Sequence, residues 1–175
     1  EHHAILHTCQ ALEKEGYTVT YLPVDEFGKV DTATVEAAIT PETILISVMY
    51  ANNEIGTIMP IREIGAIARK HGVLFHTDAV QAAGHIPIDV KADNIDLLTL
   101  TAHKFHGPKG TGAVYIKQGV KIGSLVYGGG QEKGIRAGTE NTAGILGLGL
   151  AAVHAKENMK ENSERVARLR NKLIK

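Results

Sequence analysis

The sequence alternates between short apolar runs and amphipathic segments, and this alternation is what most constrains the fold. Strand-like runs rich in β-branched residues occupy residues 18–24, 43–49, 73–76, 96–101 and 112–116. Helical patterns separate them: a short helix with Asp31 as its N-cap runs to Ile39, and an amphipathic helix begins at Pro60 and ends at Gly72. Strands joined by helices predict crossover connections. We therefore expect an α/β fold, with a mainly parallel sheet covered by helices on both faces.

Both ends of the chain also have a helical pattern. Residues 4–15 predict a helix that Gly16 ends, and residues 142–175 carry a long apolar stripe. The glycine-dense residues 123–138 predict a loop before this last helix. Neither end resembles the natural edge of a domain. We therefore expect residues 1–175 to be the central part of a larger domain, with an N-terminal segment and a C-terminal small domain absent.

The composition excludes several classes of protein. The 19 basic and 19 acidic residues give a formal net charge of zero, which disfavours a nucleic-acid-binding surface. No apolar run approaches the roughly 18 residues that cross a bilayer, so no membrane partner is expected. The single cysteine, Cys9, excludes an intrachain disulfide framework. A cytoplasmic location is the resulting expectation.

Polar side chains follow three of the predicted strands at the point where each strand ends. Asn53 follows the second strand, Asp78 and Gln81 follow the third, and Lys104 follows the fourth together with Thr101 and His103. In an open parallel sheet, ligands bind beyond the carboxyl ends of the strands. The sequence therefore predicts that an amide, a carboxylate, an imidazole and an amine meet at one edge of the sheet.

Each of these residues also has a purely structural interpretation. Lys104 at a half-buried rim would lose solvation and become a nucleophilic amine, but an isolated lysine is more often a surface residue. Asp78 is of the type that keeps a pyridine nitrogen protonated in pyridoxal phosphate enzymes, but an Asp just past a strand more often caps a turn or a helix. The scattered histidines lack the spacing of a helical metal site, and no metal is expected.

Several longer motifs occur together and in a fixed order. They are His2, Asn53-Glu54-Ile55-Gly56, His76-Thr77-Asp78-Ala79-Val80-Gln81, Thr101-Ala102-His103-Lys104-Phe105-His106-Gly107-Pro108-Lys109-Gly110 and Arg136-Ala137-Gly138-Thr139-Glu140-Asn141. In these motifs the sequence resembles the cysteine desulfurases, fold-type-I pyridoxal phosphate enzymes that supply sulfur to iron–sulfur clusters. The resemblance extends over essentially the whole chain. The last two motifs are similar to the nitrogenase and iron–sulfur-assembly branch.

The resemblance implies a role for each candidate residue. Lys104 would hold pyridoxal 5′-phosphate covalently and move protons at the substrate's α and β carbons. Asp78 would contact the ring nitrogen, Gln81 the phenolate oxygen, and His2 the ring face, where it would also take part in acid–base steps. Thr101 and His103 would bind the phosphate. Asn53 would lie near the substrate carboxylate, and Thr139 would reach the phosphate of a neighbouring subunit. Local explanations remain open for three of them: a tag remnant for His2, a turn residue for Asn53 and a helix N-cap for Thr139.

The resemblance also implies a reaction and its partners. The parent protein would convert L-cysteine to L-alanine and transfer the sulfur to an enzyme cysteine, as a homodimer that supplies an iron–sulfur scaffold or another sulfur acceptor. The family's sulfur-accepting cysteine lies on a loop of the C-terminal part, so Cys9, on the first helix, does not match it. We therefore expect the isolated chain to bind pyridoxal phosphate weakly and to lack desulfurase activity.

Two other functions are compatible with parts of the pattern. An aminotransferase or lyase of the same fold would share Lys104, Asp78 and the phosphate contacts, although the match through Gly110 and Asn141 disfavours it. A scaffold fragment without catalysis is a second alternative, but it would have no use for Lys104 and Asp78 together. A P-loop at residues 107–111 is excluded because a strand follows where that motif requires a helix.

Overall fold

The computed structural model describes all of residues 1–175 and contains a four-stranded sheet with four α-helices. The strands are β1 (Leu45–Ser47), β2 (Leu74–Asp78), β3 (Leu97–Thr101) and β4 (Gly112–Ile116), and they lie side by side in chain order. The first three are parallel, and β4 is antiparallel to β3. The prediction of an α/β fold with a mainly parallel sheet is confirmed.

The helices are α1 (His3–Lys14), α2 (Thr32–Ala37), α3 (Ile61–His71) and α4 (Thr142–Ile174). As the sequence predicts, the Asp31 carboxylate caps α2 by accepting the backbone N–H of Thr34, and Gly72 ends α3 in the left-handed conformation. The α4 cap is Asn141, whose side chain accepts the Gly144 N–H at 3.0 Å, and not Thr139. None of these helices is long and apolar enough to span a membrane.

One face of the sheet forms the main hydrophobic core against α3. Ile46, Phe75 and Leu98 project from three adjacent strands into a cluster that includes Ile64 and Ala68 of the helix. Side chains alternate between the two faces along a strand. The opposite face therefore carries the polar side chains of His76, Asp78 and Thr99, and it is less completely buried.

Two predicted strands differ from the structure. Residues 18–24 belong to no strand, because no other strand of the chain lies beside them to complete a hydrogen-bonded ladder. Only Leu45–Ser47 of the apolar run 43–49 pairs as a strand. An apolar β-branched run identifies a segment that favours extended backbone, but its pairing partner decides whether it becomes a strand.

Candidate active site

The carboxyl ends of β1, β2 and β3 meet at one edge of the sheet. Asp78 is the last residue of β2 and lies opposite Thr99 of β3 in the strand register. On the other side, the backbone N–H of Tyr50 donates to the carbonyl of Asp78 at 2.8 Å. Backbone contacts on both sides therefore fix Asp78 at this edge of the sheet.

Asp78 is a buried carboxylate without a cationic partner. Its residue exposure is 8%, and its Oδ1 accepts the backbone N–H of Val80 at 2.9 Å. The ion pairs of the chain all involve other carboxylates. Buried charges are normally paired, so this carboxylate is suited to bind a cationic group supplied by a ligand.

The turn that carries Lys104 follows β3 directly. Residues Ala102–Phe105 form a short 3-10 helix, which His106 ends with a left-handed φ of 69°. The N–H of Gly107 then donates to the carbonyl of Ala102 at 2.8 Å, and a Cβ at Gly107 would lie only 2.7 Å from that of Ala102. This tight turn presents the Lys104 side chain as an exposed amine at the same sheet edge as Asp78.

The lysine turn is also tied to α4 through His85. The His85 ring Nε2 lies 3.1 Å from the Lys104 carbonyl, to which it can donate, and the Ser163 hydroxyl donates to the His85 carbonyl at 3.1 Å. Phe105 and Ala155 add an apolar contact between the turn and the helix. Two interactions of different kinds therefore hold the turn against α4.

Thr101 and His103 lie together beside the lysine turn. The Thr101 hydroxyl is 3.0 Å from Nδ1 of His103 and also donates to the carbonyl of Thr111 at 3.2 Å. A hydroxyl and an imidazole at one exposed turn are a donor set suited to a phosphate group. The structure thus brings these two candidate phosphate ligands into direct contact.

His2 lies at the start of α1 and is connected to the sheet through its neighbour. Its Nδ1 caps the helix by accepting the Ala4 N–H at 3.1 Å, while the ring remains exposed. The preceding Glu1 accepts the backbone N–H of Met49, just beyond β1, at 2.7 Å. This hydrogen bond fixes the start of α1 near the end of β1.

The remaining candidates lie in turns. Gln81 is half-buried in the turn that follows Asp78, and Asn53 is exposed in the turn after β1. The turn at Asn53 is organised by its neighbour Asn52, whose side chain accepts the N–H groups of Glu54 and Ile55. Thr139 is exposed in the loop before α4. Thr101, His103 and Lys104 therefore lie at the end of β3, and Asp78 lies at the end of the neighbouring parallel strand β2.

Cys9 is a half-buried residue of α1. Burial and the nearby Glu1 and Glu13 carboxylates raise the pKa of its thiol. Because the thiolate is the reactive form, Cys9 is a poor nucleophile. No group of three or more histidine, cysteine or acidic side chains is arranged to hold a metal ion.

Sequence reasoning missed a row of polar side chains next to Asp78. His76 lies between two hydroxyls, with Nδ1 2.8 Å from Ser47 Oγ and Nε2 3.3 Å from Thr99 Oγ1. Burial lowers the pKa of the His76 imidazole below its ordinary value, while the Asp78 carboxylate acts in the opposite direction. In the sequence, the three members of this row are simply polar residues of three separate predicted strands, Ser47, His76 and Thr99.

Comparison with known proteins extends over the whole chain. Residues 1–175 match the family model "Aminotransferase class-V". The chain is 65% identical over its full length to a protein named cysteine desulfurase IscS from Clostridium botulinum (strain Hall), of which it covers 44%. It is 58% identical over 174 residues to the protein of the same name from Methanosarcina thermophila, of which it covers 43%. The chain thus spans less than half the length of these relatives.

Solved structures show the same backbone. A protein titled "NIFS-LIKE PROTEIN" superposes with a TM-score of 0.96 at 43% identity, covering 99% of this chain and 48% of that one. A structure titled "SspA in complex with cysteine" gives a TM-score of 0.86 at 46% identity, covering 88% of this chain and 45% of the other. The family model matches every residue and the fold agrees closely, so the chain belongs to the class-V aminotransferase family.

Proposed function

We propose that this chain is the cofactor-binding core of a cysteine desulfurase. The observation that carries the proposal is that one sheet edge holds both the buried Asp78 carboxylate, which has no cationic partner, and the turn that carries Lys104. The high identity to proteins named cysteine desulfurase and the likeness to a structure titled as a cysteine complex support it. The proposed cofactor is pyridoxal 5′-phosphate and the proposed substrate is L-cysteine.

The residues present fit pyridoxal phosphate by their chemistry. Lys104 Nζ is the amine that would hold the aldehyde carbon, and the Asp78 carboxylate would hold a proton on the ring nitrogen. Thr101 and His103 would bind the phosphate, Gln81 the phenolate oxygen, and His2 the face of the ring. Asn53 would orient the substrate carboxylate. When bound, the cofactor supplies an electron sink that stabilises negative charge at the substrate's α carbon.

In the proposed reaction, a cysteine thiolate of the enzyme attacks the sulfur of L-cysteine. The bond between the substrate's Cβ and its sulfur breaks, the sulfur stays on the enzyme as a persulfide, and the carbon skeleton leaves as L-alanine. The Lys104 amine would move protons at the α and β carbons. Cys9 is poorly suited to be the attacking thiolate because its pKa is raised and it lies on α1. The attacking cysteine is therefore another residue of the full-length enzyme.

We further propose that the full-length enzyme is a cytoplasmic homodimer that delivers sulfur to an iron–sulfur scaffold or another acceptor protein. Thr139 would contribute to the neighbouring subunit's phosphate site. Its exposed position in the loop before α4 is compatible with a contact outside its own chain.

Pyridoxal phosphate binding can be tested on this chain directly. Addition of the cofactor is expected to produce the visible absorbance of an aldehyde bonded to a lysine amine, and borohydride reduction is expected to fix the label on Lys104. Lys104→Ala should lose both signals. Lys109→Ala removes another exposed lysine, five residues further along the chain, and should retain them. Equal labelling of the two variants would contradict the assignment.

Desulfuration is tested by incubating the chain with L-cysteine and pyridoxal phosphate. We expect no sulfide or alanine, because Cys9 is not the attacking thiol. Sulfide release by this chain that disappears in Cys9→Ser would show that the sulfur acceptor has been assigned wrongly.

A further inference from the structure

The row formed by Ser47, His76 and Thr99 crosses three neighbouring strands. Ser47 is directly paired with His76 in the register of β1 and β2, and the His76 ring reaches both hydroxyls, at 2.8 and 3.3 Å. Each hydroxyl can donate or accept, so the row satisfies either neutral form of the imidazole. Both ring nitrogens therefore have a partner within the sheet.

His76 and Asp78 lie on the same face of β2, two residues apart. Histidine beside a carboxylate commonly pairs with it, but here the two ring nitrogens are turned towards Ser47 and Thr99. The Asp78 side chain instead accepts the backbone N–H of Val80. Because its ring nitrogens bond to the neighbouring strands, His76 does not form a hydrogen bond or an ion pair with the Asp78 carboxylate.

We propose that His76 is a positioning residue for Asp78: held uncharged between Ser47 and Thr99, it leaves the Asp78 carboxylate available to a cationic ring nitrogen. This inference rests on the proposed function, since pyridoxal phosphate supplies that nitrogen. It adds a consequence that the cofactor contacts alone do not imply. Protonation of His76 would place a second positive charge beside the ligand and weaken binding.

The groups that face His76 determine its titration. From β1 and β3 it faces only the hydroxyls of Ser47 and Thr99, and along its own strand it faces Asp78. The Glu1 carboxylate, at the start of α1, is within electrostatic reach of Asp78. Burial lowers the pKa of His76, and the negative charge of Asp78 partly offsets this.

A cationic ligand at Asp78 would cancel the support that the carboxylate gives to the imidazolium, so it would lower the His76 pKa further. Binding free energies are reciprocal. If the ligand lowers the pKa of His76, protonation of His76 must weaken the ligand's binding by the corresponding factor. A displacement of one pH unit in the titration midpoint corresponds to about tenfold in affinity.

Nuclear magnetic resonance of the histidine Cε1–H groups tests the proposal in the wild-type chain. The probe is pyridoxine 5′-phosphate, which has the ring nitrogen and the phosphate but no aldehyde to react with lysine. We expect the His76 midpoint to lie below about 6.5 without ligand and to move to lower pH with it. Inorganic phosphate should not move it, and His71, paired with Glu36 at the end of α3, should be unaffected by either ligand. An unmoved His76 midpoint with the probe bound would overturn the proposal.

The affinity for the same probe at two pH values gives an independent readout. Between about pH 7.5 and pH 5.5, we expect the wild-type chain to lose up to about tenfold more affinity than His76→Asn. Protonation of the ligand phosphate contributes equally to both proteins and cancels in this ratio. An identical pH dependence in the two proteins would contradict the role of His76.

Three further results keep the failure of this inference distinguishable from the failure of the proposed function. If far-ultraviolet circular dichroism shows that His76→Asn does not fold, the titration of wild-type His76 decides alone. If Lys104-dependent absorbance appears but the His76 midpoint does not respond to pyridoxine phosphate, the proposed function stands and the role of His76 is wrong. If the Lys104-dependent absorbance itself is absent, the proposed function fails, and the inference about His76, which rests on it, fails with it.

Discussion

The Oε1 atom of Glu1 accepts a 2.7 Å hydrogen bond from the backbone N–H of Met49, a residue 48 positions away. This contact joins the start of α1, and with it His2, to the segment just beyond β1. Although Glu1 as a residue is exposed, its carboxylate is largely withdrawn from water, and this burial raises its pKa despite the hydrogen bond. A residue with no assigned chemistry thus determines where a candidate ring-stacking histidine lies.

Replacing Glu1 is expected to have a pH-dependent effect on stability. A carboxyl group whose folded-state pKa is raised contributes its full stabilisation below the ordinary pKa of about 4.3 and loses it as the pH rises through the folded value. Glu1→Gln keeps an oxygen that can accept the Met49 N–H but has no charge. We therefore expect it to match the wild type near pH 4 and to be at least as stable at pH 7, measured by urea unfolding. Glu1→Ala, which has no acceptor, is the control and should be less stable than Glu1→Gln.

A glycine of α3 is required by a close backbone approach. A Cβ at Gly65 would overlap the backbone carbonyl oxygen of Asp93. Alanine otherwise favours a helix by about 1 kcal/mol over glycine. The substitution therefore destabilises the protein only if the overlap with Asp93 costs more than this gain. We expect Gly65→Ala to lower the free energy of unfolding by about 3 kcal/mol or more.

The matched control for that substitution is Gly149→Ala in α4. An added Cβ at Gly149 would meet no heavy atom within 4 Å, so this variant should be more stable than wild type by up to about 1 kcal/mol. Chemical denaturation of both variants measures the difference. A neutral Gly65→Ala would mean that α3 lies further from Asp93 than the structure shows.

The cap of α4 can be identified by substitution. The Asn141 side chain accepts the N–H of Gly144, so Asn141→Ala should reduce the unfolding free energy by about 1 kcal/mol. Thr139, which the sequence left open as a possible cap, makes no such contact, and Thr139→Ala should leave the stability of the isolated chain nearly unchanged. Thermal unfolding of the two variants distinguishes the positions.

The contact between Thr101 and His103 predicts selectivity for a phosphorylated ligand. Thr101→Val removes a hydroxyl beside the proposed phosphate and should weaken pyridoxal phosphate binding by about 10- to 100-fold, as for a hydrogen bond to a charged group. Binding of pyridoxal, which lacks the phosphate, should change little. Thr101→Ser keeps the hydroxyl and serves as the control. An equal loss for both ligands would indicate a general distortion of the turn in place of a lost phosphate contact.

Local signals in the sequence were sufficient for most of the fold. Asp31, Gly72 and Gly16 were recognisable because caps and left-handed glycines act within one turn of a helix. The segment 18–24 was predicted wrongly as a strand, because pairing depends on a partner distant in sequence. The register that brings Thr99 opposite Asp78 is a relationship of the same kind.

The candidate site likewise contains residues that the sequence alone could identify and residues that depend on the folded structure. Residues at or just beyond the ends of strands, such as Asp78 and Lys104, could be proposed from the sequence because the carboxyl ends of parallel strands share one edge. Glu1 was not found, because its contact with Met49 depends on how α1 returns to the sheet. The row at His76 was visible only as an isolated histidine until the register placed Ser47 and Thr99 on either side of it.

The attachment of the lysine turn through His85 has a dynamic consequence. Ser163 lies in the C-terminal half of α4, so local unwinding of that helix breaks its hydrogen bond to the His85 carbonyl. His85 is then less firmly held, and its ring restrains the Lys104 carbonyl less well. Amide exchange at residues 102–106 should therefore accelerate together with exchange around residue 163, so that the Lys104 turn and the C-terminal half of α4 open as a single cooperative unit.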